Sequence, residues 1–270
     1  MNLPDLAHAV AALARRTGQY IAQERERFDP ARIEHKGLND LVSYVDKTAE
    51  EQVIAGLRGL LPGADFITEE GTLSQSDGQT NPGMGTFWII DPLDGTTNFI
   101  HGLPMYAVSI GLLVDGEVTL GCVYEPSRDE LFLAWKDGGA YLNGAPLRVA
   151  QRTTLEGSLQ ATGFPYSLFD QMDAYLASIN ELMRRTHGLR RMGSAAIDMA
   201  YVAAGRFDGF FEYNLKAWDI AGGVILVKEA GGTVTDFSGG SNYLFGRQIV
   251  AGGGSQGELQ ALLAKHFNGK

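Results

Sequence analysis

From Leu6 to Phe28 the positions Leu6, Val10, Leu13, Thr17, Ile21 and Phe28 recur at spacings of three, four or seven, with arginines and glutamates between them. That period predicts a long amphipathic helix. A second helix is predicted from about Asp46, with Ala49, Val53, Leu57 and Leu60 on one face and Pro62-Gly63 as its stop. Phe87-Trp88-Ile89-Ile90 reads as a buried strand. Alternation over Ala107–Val114 and Val118–Tyr124, around a turn at Asp115-Gly116, predicts a hairpin. Strands at Leu131–Trp135 and Ala140–Leu142 lead to another turn signal at Asn143-Gly144. Beyond it the pattern predicts strands at Ser158–Thr162, Phe207–Tyr213 and Thr233–Phe237. Helices are predicted over about Gln171–Arg184, Ser194–Ala204 and Ile220–Glu229. Helices and strands interleave without a strict βαβ rhythm, so the expected fold is a layered α/β sandwich rather than a doubly wound sheet.

Composition narrows the function. The 270 residues are 44% hydrophobic and 20% charged, which is ordinary for a globular chain. A formal net charge of −10 argues against a broad basic surface for nucleic acid. It also means that any phosphate-handling site here needs a cation between phosphate and protein. The single cysteine, Cys122, lies in an apolar setting and reads as a small buried hydrophobe in a reducing compartment. The N-terminus has no basic segment followed by an apolar core, and no apolar run approaches the ~20 residues that cross a bilayer. A cytoplasmic protein is expected.

The chemistry concentrates in Asp91-Pro-Leu-Asp-Gly-Thr-Thr-Asn98, which follows the apolar run at 87–90. Pro92 stiffens the turn, Gly95 permits close backbone approach, and Thr96-Thr97-Asn98 suit a helix start, where free N–H groups favour phosphate. Carboxylate oxygens select Mg²⁺, Ca²⁺ or Mn²⁺ over zinc, and the histidines show no metal-ligand spacing. An Asx-type turn is the plain alternative for this motif. Glu69-Glu70, Asp219 and the pair Asp40 and Asp46 are further candidates. Each has an ordinary reading as well: Asp219 as an N-cap, Glu69-Glu70 as solvated side chains. Trp88 and Trp218 adjoin these segments and read as core packing. The polar loop Ser74–Gly85 fits either a lid or plain surface.

Four segments together carry a resemblance. Phe87-Trp-Ile-Ile-Asp-Pro-Leu-Asp-Gly-Thr-Thr-Asn-Phe99 resembles the first signature of the inositol monophosphatase family. Trp218-Asp-Ile-Ala-Gly-Gly223 with Glu229-Ala-Gly-Gly232 resembles its second. Phe66-Ile-Thr-Glu-Glu70 is similar to its glutamate motif, and Asn39–Asp46 to its early aspartate segment. Order and spacing agree from about Lys36 to Gly240. Arg190–Gly205 looks closest to bacterial members of the extragenic-suppressor type, some of which also associate with the transcription machinery.

The resemblance implies an αβαβα sandwich of the inositol monophosphatase and fructose-1,6-bisphosphatase type. The chain would form a single catalytic unit over 1–270, with αβ halves 1–150 and 151–270. It implies a phosphoric monoester hydrolase that uses two or three Mg²⁺ ions, with Mn²⁺ as a substitute and Li⁺ as an inhibitor. Glu69, Asp91 and the Leu93 carbonyl would hold one ion, Asp91, Asp94 and Asp219 another, and a third would sit near Glu69. Asp46, Thr96 and Glu69 would be catalytic, orienting a metal-activated water for in-line attack. Gly95 and Thr96 would bind phosphate. Gly193, Ser194, Ala195 and Glu212, with Asp94 and Asp219, would hold the alcohol side. Lys36 matches a lysine near the phosphate with a one-residue shift in its spacing to Asp40. The implied substrate is myo-inositol 1-phosphate. Fructose 1,6-bisphosphate, a nucleotide 3′-phosphate, NADP and histidinol phosphate are the superfamily alternatives, and a regulatory binding protein with a retained site is another. Family members are commonly homodimers.

Overall fold

The computed structural model describes residues 2–29, 31, 33–37, 40–72, 83–165 and 170–267. The chain opens with helix α1 (Leu3–Glu26), the hairpin β1 (Ile33–Gly37) and β2 (Asp40–Ser43), and helix α2 (Tyr44–Leu60). Then come β3 (Asp65–Thr68), β4 (Thr86–Asp94), the short helix α3 (Thr96–His101), β5 (Ala107–Val114), β6 (Glu117–Glu125), β7 (Glu130–Trp135), β8 (Gly139–Leu142) and β9 (Ala145–Pro146). The remainder is β10 (Leu159–Thr162), α4 (Met172–Arg185), β11 (Gly188–Arg190), α5 (Ala195–Ala203), β12 (Gly209–Tyr213), α6 (Ala217–Glu229), β13 (Thr233–Thr235), β14 (Gln248–Gly252) and α7 (Gln256–Phe267).

Among the described residues, β3 to β9 form one seven-stranded sheet in chain order, and β11-β10-β12-β14-β13 form a five-stranded sheet. Three apolar clusters stack these sheets with the helices. Leu6, Val10 and Ile21 of α1 and Val53 and Leu57 of α2 cover one face of the larger sheet, against Trp88, Ile90 and Leu120. Met199 and Ala200 of α5 and Ala221, Val224 and Ile225 of α6 fill the space between the two sheets, against Ile89, Val123 and Phe210. Tyr175 and Leu182 of α4 and Leu259 and Leu263 of α7 close the far face of the smaller sheet, against Phe211 and Val250. The order is αβαβα, the expected sandwich. No described helix is long and apolar enough to cross a membrane.

The inner helix α6 sits at backbone distance from the larger sheet. A Cβ on Gly121 of β6 would lie 2.2 Å from the Gly222 carbonyl oxygen, and one on Gly222 would lie 2.7 Å from Ser109 Oγ. The glycines of the Trp218-Asp-Ile-Ala-Gly-Gly segment therefore serve packing. They bring the start of α6 down beside β4.

Several sequence-based bounds shift. Helix α1 ends at Glu26, so Phe28 lies beyond it, stacked on Tyr44 and edge-on to Phe99. Helix α2 begins at Tyr44 because Ser43 caps it, its Oγ accepting from Val45 N at 3.1 Å. Helix α6 starts at Ala217, so Asp219 stands at its third position rather than at its N-cap. Asp91 and Asp94 are the last part of β4 rather than a turn after it. β13 stops at Thr235, where Asp236 folds back to accept hydrogen bonds from Ser238 and Gly240. The loop Ser74–Gly85, read from sequence as either a lid or plain surface, lies mostly outside the described residues, which omit 73–82. Trp88 is fully buried, and Trp218 packs against the central cluster, as core side chains do. Cys122 is buried too, and burial pushes its thiol up to about 12.

Candidate active site

Side chains three apart on a regular strand point to opposite faces. On β4 they do not. Asp91 pairs with Ser109 and Asp94 with Ala107, so three residues of β4 oppose two of β5. The register shifts between Asp91 and Asp94, where Pro92 has no N–H to give to the ladder and Leu93 N turns to Asp91 instead. The shift turns both carboxylates toward the same side. Asp91 is 1% exposed and Asp94 8%. Leu93 N donates to Asp91 Oδ1 at 3.0 Å.

Glu69 arrives from the neighbouring strand. β3 runs parallel to β4 with Thr68 opposite Ile90, so the next residue on each strand brings Glu69 beside Asp91. The segment after it is clamped by Glu50, which is fully buried on α2 one turn beyond Asp46. Glu50 accepts from Glu70 N at 2.8 Å, Thr72 N at 2.9 Å and Thr72 Oγ1 at 2.7 Å. Glu50 was not anticipated. The only signal for it was its four-residue spacing from Asp46 on a helix face.

Asp219 comes from α6, where its Oδ2 accepts from Lys216 N at 2.6 Å. The packing of Gly222 on the sheet carries it inward. Burial is the first cause raising the Asp91 pKa well above the ordinary carboxylate value, followed by the charges of Glu69, Asp94 and Asp219. Asp219 is raised the same way, by burial and then by Glu69 and Asp94. Two like charges about 4 Å apart repel by about 4 kcal/mol at an effective dielectric constant near 20. The fold nevertheless holds four acids within mutual reach, and acids outnumber cations among the main influences on them.

That donor set fits a hard divalent cation. It is all oxygen, and Mg²⁺ or Mn²⁺ would convert the repulsion into attraction. Glu69, Asp91, Asp94, Asp219 and the Leu93 carbonyl are the groups available to hold such an ion. Among the described residues no three His, Cys, Asp or Glu side chains already stand at coordination spacing. The acids are gathered rather than locked into a coordination sphere: the charges of Glu69, Asp94 and Asp219 act on Asp91, and those of Glu69 and Asp94 on Asp219.

Beside them lies a second hydrogen-bonded group. Thr96 Oγ1 is 2.9 Å from Asp46 Oδ1 and 3.0 Å from the Leu93 carbonyl oxygen. Asp46 Oδ2 accepts from Ser43 N at 2.9 Å and Ser43 Oγ at 2.6 Å. Burial raises the Asp46 pKa, and the bonds from Ser43 and Thr96 pull it back. Gly95, at φ +92°, turns the chain from β4 into α3, and a Cβ there would meet the Met105 carbonyl oxygen at 2.7 Å. Asn98, read from sequence only as part of a helix start, ties α3 to the other side of the site. Its Nδ2 donates to Met105 O at 2.7 Å and Met192 O at 2.9 Å, with Gly193 O at 3.3 Å.

Asp94 is also the meeting point with α5. Its Oδ2 accepts from Ser194 Oγ at 2.5 Å and from Ala196 N at 2.7 Å. Burial pushes Asp94 up to about 6, against the opposing pull of Ser194, Ala196 and Ala195. Ser194 also caps α5 by accepting from Ile197 N at 3.3 Å. Ala195 is the first residue of α5 and is buried. Glu212, on β12, is pushed up to about 8 by burial and then by the charge of Asp94. Lys36 lies on β1, and its side chain is outside the described part of the structure.

Residues 2–270 match the inositol monophosphatase family. The chain is 46% identical over 250 residues to Nus factor SuhB of Escherichia coli K12, covering 92% of this chain and 91% of that one. Among solved structures, the extragenic suppressor protein SuhB of Bartonella henselae superposes with a TM-score of 0.87 at 38% identity, covering 96% of this chain and 98% of that one. The inositol monophosphatase of Anabaena (Nostoc) sp. PCC 7120 superposes with a TM-score of 0.83 at 33% identity, covering 98% and 97%. The fold, the gathered carboxylates and these likenesses agree: the chain belongs to the inositol monophosphatase family.

Proposed function

We propose that this chain is a Mg²⁺-dependent phosphoric monoester hydrolase acting on a small phosphorylated polyol, with myo-inositol 1-phosphate as its substrate. The observation that carries the reading is the gathering of the half-buried Glu69 and Asp219, from the end of β3 and from α6, about the buried Asp91 and Asp94 of β4. Divalent ions held there would neutralise a dianionic phosphate and lower the pKa of a water molecule. Asp46 and Thr96 then orient the attacking water, the aspartate accepting its proton-side hydrogen bond. The backbone N–H groups of Gly95 and Thr96 face the phosphate. Glu212, Gly193, Ser194 and Ala195 hold the alcohol, Glu212 by accepting from its hydroxyls. Mn²⁺ substitutes for Mg²⁺, and Li⁺ inhibits. The whole chain acts as one catalytic unit, in the cytoplasm and as a homodimer.

A solved relative supports the substrate class: SaIMPase-II, 26% identical, has been captured with inositol monophosphate bound. The same protein has also been captured with 2′-AMP, so nucleotides belong in the test. Phosphate release from myo-inositol 1-phosphate, 2′-AMP, fructose 1,6-bisphosphate, NADP and histidinol phosphate, with Mg²⁺ and with EDTA, decides it. Undiminished turnover in EDTA removes the metal, and a preferred nucleotide displaces the polyol.

A second reading rests on the name Nus factor carried by relatives at 46% identity. In it the chain also binds a component of the transcription machinery, independently of phosphate chemistry. Affinity capture with wild type and Asp94→Asn tests this, and it fails if no such component is retained by either.

A further inference from the structure

The hydrogen-bond ladder of the larger sheet stops short of Glu69. β3 is an edge strand of that sheet, and its last pair with β4 is Thr68 opposite Ile90. Beyond that pair the backbone turns to α2. Glu50, fully buried there, accepts from Glu70 N at 2.8 Å through Oε2 and from Thr72 N at 2.9 Å through Oε1. Gly71 stands between them at φ +61°, a left-handed turn that lets N–H groups two residues apart converge on one carboxylate. Thr72 Oγ1 adds a third donor, to Oε1 at 2.7 Å. Both oxygens of Glu50 thus serve as acceptors, and the chain just past Glu69 is held by a side chain rather than by a neighbouring strand.

The same helix reaches the other part of the site. Asp46 and Glu50 lie four residues apart on α2, on one face, and both are buried. Asp46 Oδ1 accepts from Thr96 Oγ1 at 2.9 Å, at the start of α3. One face of α2 therefore sets Thr96 and the chain after Glu69 relative to each other.

We propose that Glu50 is a positioning residue for the divalent ion: by holding the chain on both sides of Gly71 it fixes Glu69 beside Asp91, and so sets how tightly that side of the acidic group binds the ion. This rests on the metal-dependent reading above. In Glu50→Gln the side chain keeps one acceptor oxygen and presents an NH₂ in place of the other, so at least one of the two backbone bonds is lost. Glu69 then has to be ordered by the ion itself, which weakens binding and leaves the bond between Asp46 and Thr96 intact.

The test measures Mn²⁺ binding by calorimetry, without substrate, for wild type, Glu50→Gln, Thr72→Val and Leu57→Ala. Glu50→Gln lowers the affinity about tenfold or more, the range that groups orienting a metal's ligands ordinarily control. Its kcat for myo-inositol 1-phosphate returns to within about threefold of wild type once Mg²⁺ is raised to saturation. Thr72→Val loses about two- to threefold in affinity, because both N–H bonds remain. Leu57→Ala truncates a fully buried side chain further along α2; it lowers the melting temperature and leaves Mn²⁺ affinity within about twofold. Amide exchange in EDTA gives a readout without metal: Glu70 and Thr72 exchange faster in Glu50→Gln, out of proportion to the rest of the chain, and show no such local excess in Leu57→Ala. Unaltered Mn²⁺ affinity in Glu50→Gln with hydrolysis intact overturns this inference alone, as does an equal loss of affinity in Leu57→Ala. The expected order of affinities in a protein that releases no phosphate sinks the phosphatase reading alone. A wild type that binds no Mn²⁺ overturns both.

Discussion

Ser194 Oγ donates to Asp94 Oδ2 at 2.5 Å, joining residues 100 apart in the chain. Through it the cap of α5 and the last residue of β4 share one carboxylate. Ser194→Ala removes this bond and the helix cap together. The cap alone is worth about 1 kcal/mol, so the melting temperature falls by several degrees. Asp94 also loses a donor that favours its ionised form, so the Mg²⁺ concentration for half-maximal activity rises. Thermal melts and a Mg²⁺ titration of activity check both effects.

Thr96 and Asp46 should matter to turnover far more than to stability. Thr96→Val keeps the shape of the side chain while removing the donor to Asp46 and Leu93 O. A group that orients the attacking water contributes roughly 10²-fold or more. The expected outcome is a kcat lower by that order with KM within a few-fold, read from steady-state kinetics.

The approach of α6 to the sheet predicts a mutation remote from the chemistry. In Gly121→Ala the new methyl collides with the Gly222 carbonyl, a backbone atom that cannot rotate away. Overpacking of this kind costs about 1–3 kcal/mol. The shift also moves Asp219, so activity falls together with stability. Chemical denaturation and the activity assay should show both losses.

Much of this was legible beforehand, and the exceptions have physical causes. Periodicity located α1, α2 and the β5–β6 hairpin because each buries one face. It could not locate β11, three residues long, or β14 and α7, whose stretch had no pattern recognised in the sequence. The motif at 91–98 pointed to the chemistry, yet strand geometry alone would have set Asp91 and Asp94 on opposite faces. Only the bulge in the ladder with β5 reconciles them, and register is a property of two strands. Glu50, on the same helix as Asp46, was not singled out by the sequence. Its buried clamp on 70–72 depends on where β3 ends, which its own neighbours in sequence do not encode.

The raised carboxyls make stability depend on pH in a defined direction. Asp94 rises from 3.8 to about 6 and Glu212 from 4.5 to about 8 on folding. Between the unfolded and folded values the native state binds more protons than the unfolded state, so stability falls as pH rises. In EDTA the protein is therefore more stable near pH 4 to 5 than at pH 8, as far as these groups decide. If Mg²⁺ binds the ionised form, as proposed, it flattens that decline. Melting curves at a series of pH values, with EDTA and with Mg²⁺, test the sign.

The most direct measurement is anomalous diffraction from crystals of the protein grown or soaked with Mn²⁺. Anomalous peaks are expected within bonding distance of Asp91 Oδ and of oxygens from Glu69, Asp94 and Asp219. A well-ordered structure at saturating Mn²⁺ with those four side chains apart and no peak among them would contradict the account.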